Sequence, residues 1–158
     1  MSSYLSFYLV PKKYKKTYKF NKDNGHTETE VELSKGEPLL FMSYSRSSEV
    51  YQAYDDALDI VFCGMNETQY TELTYEKAKH VIQIFEENIR RTEARLKTDY
   101  KMLKEGGYSS ELWEEIHSFE DYVSEQKSTL VELKSIANMV YDVYEDYNDF
   151  EKVLINID

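Results

Sequence analysis

A chain of 158 residues, 41% of them apolar, is long enough for one folded unit around a single core. Its charged fraction of 31% and net charge of −11 argue against a protein whose whole surface coats nucleic acid. The single cysteine, Cys63, excludes an internal disulfide framework. No apolar run nears bilayer-spanning length, and Met1-Ser2-Ser3 opens without a basic and then apolar leader. The expectation is a soluble, cytoplasmic protein with no membrane partner, residing in the host cell if its source is viral.

Charge and aromatics are unevenly spent. Residues 1–22 hold six lysines and no acid, whereas 111–158 hold thirteen acids against three lysines. Such a field attracts basic protein surfaces, although a solvated helix face gives the same count. Fifteen tyrosines are many for this length, and tyrosine favours half-buried and contact positions. The preference for Lys, Glu, Asp, Asn, Ile and Tyr suits an AT-rich coding source, as in viruses of low-GC bacteria.

In chain order, residues 3–10 carry an apolar side chain at most positions and read as a central strand closed by Pro11. Asn24-Gly25 is a preferred two-residue turn, and closing a hairpin there sets Lys19 against Glu30, Tyr18 against Val31 and Phe20 against Thr29. A further strand spans Leu39–Ser45. Ser47 or Ser48 caps a short helix over about 49–59, Ile60–Met65 is a short strand or a buried connector, and 66–73 is a polar linker.

Two apolar ladders follow, stepping alternately by three and four residues. The first runs from Tyr75 through Ile82, Phe85 and Ile89 to Leu103; the second from Leu112 through Ile116, Val123 and Leu133 to Tyr147. Thr74 is a plausible first cap, Lys101 and Lys104 suit the last turn, and Gly106 suits the left-handed cap. Ser109 or Ser110 opens the second helix. An antiparallel hairpin reversing at Gly106-Gly107 sets 105 against 111 and 75 against roughly 141, over about 45 Å at 1.5 Å per residue. Residues 142–150 then overshoot, so that Tyr141, Tyr144, Tyr147 and Phe150 must bury against the sheet. Lys152–Ile157 can add a last strand.

The expected fold is therefore α+β: a small antiparallel sheet of three to five strands and one short helix over 1–73, a coiled-coil-like hairpin over 74–150 (helices 74–105 and 110–150), and a tail strand over 151–158, all one folding unit.

No catalytic constellation stands out. His26, His80 and His117 are scattered without ligand partners, so no metal is expected, and no glycine-rich loop implies a cofactor. Cys63 lies in an apolar run and reads as a buried thiol. Asp55, Asp56 and Asp59 form the densest acidic cluster, read as a surface face that could line a cleft. Asp99 and Gln126 interrupt the ladders and do not face each other; polar seam residues fix register or mark wetter sections.

The composition points to a non-catalytic protein-interaction protein, in its sharper form an acidic inhibitor or decoy of the viral anti-defence type. Such a protein blocks the basic, nucleic-acid-binding surface of a host protein. The expected contacts are an acidic helix face of Asp142, Glu145, Asp146 and Asp149, and a hairpin tip of Tyr100, Tyr108 and Trp113. The alternatives are a homo-oligomeric assembly or virion component, and a nucleic-acid binder through the basic-aromatic stretch Lys12–Lys22. The last is less favoured, because Glu28, Glu30 and Glu32 answer those lysines.

Overall fold

A computed structural model describes residues 3–11, 14–20, 27–33, 38–62, 70–107, 109–145 and 149–158, the strands over 14–20 and 27–33 by their backbone. In chain order its elements are β1 (Tyr4–Pro11), β2 (Tyr14–Phe20), β3 (Thr27–Leu33), β4 (Leu39–Ser45), α1 (Glu49–Asp56), α2 (Leu58–Val61), β5 (Thr71–Glu72), α3 (Tyr75–Gly106), α4 (Ser110–Glu145) and β6 (Phe150–Ile157). The architecture is α+β, with two long helices packed as a hairpin.

β1 lies inside an antiparallel sheet of order β4-β1-β6-β5, the central position that its apolar run requires. Leu5 pairs with Ile157 and Phe7 with Ile155, so the two ends of the chain form adjacent strands. Asp158 locks that seam: its Oδ1 accepts from the Tyr4 amide and its carbonyl from the Tyr51 hydroxyl. Leu5, Phe7, Val153 and Ile155 are wholly buried, in one core with Val50, Tyr54, Leu73 and the base of the hairpin. Burying each such side chain is worth about 1.5–3 kcal/mol.

β2 and β3 form a separate two-stranded sheet. Its register differs from the expected one: Lys19 pairs with Glu28, Tyr18 with Thr29 and Phe20 with Thr27. Each residue meets a partner two positions earlier than a two-residue turn at Asn24-Gly25 dictates. The shift is an even number of residues, so each β2 residue keeps a partner from the same alternating set of β3. Asn24, Gly25, His26 and Cys63 lie outside the described residues, as do Lys12, Lys13 and Lys22.

Ser48 caps α1, its hydroxyl accepting from the Val50 amide. The helix expected over 49–59 breaks at Ala57 and resumes as α2, so Ile60 and Val61 are helical rather than strand. Part of the expected linker is also ordered: Thr71 and Glu72 pair with Ile155 and Leu154. Two residues are too few to carry a strand pattern.

The hairpin forms as the ladders require. Thr74 caps α3 by accepting from the Lys77 amide, and Ala78, Ile82, Phe85, Ile89, Leu96 and Asp99 are buried along one stripe. Ser109 accepts from the Leu112 amide at the start of α4. The left-handed glycine is Gly107, not Gly106: Gly106 ends the helix, and Gly107 takes φ 78° with ψ −177°, a region open almost only to glycine. Toward the tip a second, smaller core gathers Leu96, Ile116 and Val123.

α4 is shorter than expected, ending at Glu145, and Phe150 already belongs to β6. No basic residue stands in its last turn, where Asp142 and Glu145 oppose the negative end of the helix dipole. Of the aromatics expected to bury beyond the hairpin, Tyr144 packs against the core. Its hydroxyl donates to Glu72 at 2.9 Å and accepts from the Val153 amide at 3.3 Å. Tyr141 instead meets Tyr75 and stays half exposed. Tyr147 lies outside the described residues.

Candidate functional site

The acidic quartet is not one helix face. Asp142 and Glu145 are exposed on the last turn of α4, Asp149 is exposed in the turn before β6, and Asp146 lies outside the described residues. The acidic exterior is broader than that quartet. Carboxylates are exposed along the whole of α4, from Glu111 through Asp121, Glu125 and Glu132 to Glu145, with only Lys127 and Lys134 among them. Lys127 lies 3.8 Å from Glu93, so part of its charge is answered.

At the tip, Tyr100 and Trp113 are exposed, at 45% and 41%. Trp113 makes a ring contact with His117, edge-on at 4.5 Å. Tyr108 lies outside the described residues. In the basic stretch, the register sets Lys15 opposite Glu32 and Lys19 opposite Glu28.

Asp55, Asp56 and Asp59 are all exposed, and Asp56 lines a pocket. That pocket is a cleft of about 290 Å³ between α1 and the flank of the hairpin. α1 contributes Glu49, Gln52 and Asp56, α3 contributes Asn88, and α4 contributes Tyr122 and Gln126, while Phe85 supplies apolar wall. Thr129 holds one side of it in place, its hydroxyl donating to Glu49 Oε2 at 3.0 Å. Although Asp56 is exposed as a whole residue, partial desolvation of its carboxyl against the cleft, and then the neighbouring Asp55, push that carboxyl above its ordinary value. Gln126 is only 2% exposed, and its Oε1 has no hydrogen-bond partner.

Sequence reasoning did not assemble this cleft, since its walls come from three helices. The signals were a glutamine on an apolar seam and the cluster of Asp55, Asp56 and Asp59, of which Asp56 lines the cleft. Chemically the cleft is one-sided: two carboxylates and three amides without a lysine, arginine or histidine on its lining. Among the described residues no three His, Cys, Asp or Glu side chains converge as a metal site. Comparison of the chain with protein-family models, curated proteins and solved structures finds no match in any of the three.

Proposed function

We propose that this chain is a non-catalytic binding protein whose acidic exterior occupies a basic surface of another protein, one that otherwise holds nucleic acid. Inhibition or decoy action of the anti-defence type is the form this takes. The supporting observation is the run of exposed carboxylates along α4, a 36-residue helix packed against α3. A rod holds its charges at fixed spacing, which steers association and selects a complementary basic face.

The test is a pull-down from the native host, followed by affinity measurements on the co-purifying protein across a salt series. The reading expects affinity to fall steeply with salt, nucleic acid to compete, and Glu132→Lys with Asp142→Lys and Glu145→Lys to weaken binding at least about tenfold. Salt-independent binding, or binding that survives charge reversal, overturns it.

Self-association is a second reading with one specific support. β4 is an outer strand of its sheet and exposes Leu39, Leu40 and Phe41 in succession. An apolar edge strand invites pairing with another strand. Sedimentation across the micromolar range decides: a strict monomer removes this reading, and a dimer lost on Leu40→Lys supports it.

A further inference from the structure

We propose that the cleft between α1 and the hairpin is a guanidinium socket, taking an arginine side chain of the protein engaged by the acidic exterior. The source of that arginine rests on the reading above; the socket itself is a property of this chain.

Three features of the lining select the ligand. The Glu49 and Asp56 carboxylates and the side-chain amides of Gln52, Asn88 and Gln126 face the cleft from three helices with no basic residue among them. A group offering several donors in different directions fits that set, and guanidinium offers five in a fixed fork. Phe85 and Tyr122 provide aromatic wall, against which a planar, weakly hydrated cation stacks better than a compact ammonium.

Gln126 is the second, independent pointer. A side chain 2% exposed, with a carbonyl oxygen lacking any partner, is costly to keep in a seam where leucine fits. Gln126 lines the cleft, and a guanidinium seated there is the donor proposed for that oxygen. The Thr129 hydroxyl, shared between Glu49 Oε2 at 3.0 Å and the Glu125 carbonyl at 3.1 Å, helps to place Glu49 beforehand, which lowers the ordering cost of binding.

Size limits the occupant. At about 290 Å³ the cleft falls just below the roughly 300–1,000 Å³ of ordinary small-molecule sites, suiting one side-chain head rather than a nucleotide. A divalent cation is disfavoured, since among the described residues no three acidic, histidine or cysteine side chains converge.

The test is an amide-resolved NMR titration of the full chain with N-acetyl-arginine methylamide, beside the lysine and alanine analogues. The arginine probe is expected to shift the side-chain amides of Gln52, Asn88 and Gln126 saturably. The lysine probe should bind several-fold more weakly and the alanine probe not at all. Gln126→Leu should keep the fold, its Tm equal or higher, while weakening the arginine probe about tenfold. No saturable shift in the cleft, equal response to lysine, or shifts confined to the α4 exterior each overturn the socket. Failure of the wider reading is told apart by Glu132→Lys, Asp142→Lys and Glu145→Lys, which lie outside the cleft. Loss of the socket leaves their effect on a protein partner unchanged, and loss of that effect leaves the probe's binding unchanged.

Discussion

The ring of Tyr75 meets that of Tyr141 edge-on, centroids 5.1 Å apart, across the wide end of the hairpin. The pair is the far end of a register set at Gly106-Gly107. Arg95 donates to Glu115 at 2.9 Å nearer the tip, and Lys127 lies 3.8 Å from Glu93 between them. α3 and α4 therefore run antiparallel to each other along their shared length. Edge-to-face pairs contribute about 0.5–1.5 kcal/mol beyond the area they bury. A double-mutant cycle of Tyr75→Ala and Tyr141→Ala, followed by urea unfolding, should return a coupling of about that size. Additive effects mean that the pair is not formed in solution.

The two loop glycines separate backbone strain from crowding. A Cβ added at either would meet nothing within 4 Å, so space does not distinguish them. Gly106 is helical, and Gly106→Ala should stabilise by about 0.5–1 kcal/mol through a less free unfolded chain. Gly107 has φ 78°, and Gly107→Ala should cost about 1–3 kcal/mol. Opposite signs in chemical denaturation confirm the turn; equal signs contradict it.

Asp99 sits 6% exposed on the α3 stripe with Oδ2 unpartnered. Near it the small tip core holds Leu96 and Ile116. A buried acceptor without a donor costs about 1–3 kcal/mol, more when charged. Asp99→Leu should raise stability by that amount and slow amide exchange in the distal third of the hairpin. Unchanged exchange there shows that Asp99 is hydrated in solution.

The parts legible in the sequence are those set by local spacing. Ile82, Phe85 and Ile89 on one helix, and Ile116, Val123 and Leu133 on the other, are buried because stepping by three and four residues is a property of each helix alone. The caps Ser48 and Thr74 are equally local. What escaped depends on distant neighbours. Thr129, Ile136 and Val143 are buried off the ladder because α4 also faces α1 and the sheet. The cleft joins Glu49 to Gln126 across elements with no shared spacing, so only the isolated polarity of Gln126 on its seam and the acidic cluster that holds Asp56 pointed there.

Tyr144 ties the base of α4 to the sheet, accepting from the Val153 amide and donating to Glu72. Burial, with Glu72 beside it, pushes its hydroxyl well above the ordinary tyrosine range, so it stays protonated and able to donate throughout the usual pH range. Tyr144→Phe keeps the ring and removes both bonds. The expected cost is about 1–3 kcal/mol, with faster exchange at Val153 than elsewhere in β6. A uniform loss along β6 places the effect in global stability instead.

Asp56 gives a pH dependence with a definite sign. Burial first, and Asp55 second, raise its folded pKa above the unfolded value near 3.8. The folded chain thus keeps the proton to a higher pH than the unfolded chain. Below the unfolded value both forms are protonated and no penalty exists. As pH climbs through the window up to the folded value, stability declines, and above it the penalty is constant. Asp56→Asn keeps the shape without the charge, so it should raise Tm at pH 7 and leave Tm unchanged near pH 3. Asp55→Asn, removing the lesser cause, should give a smaller gain over the same window. Thermal melts from pH 3 to pH 8 read both; a gain at pH 7 that persists at pH 3 shows that packing, not charge, is responsible.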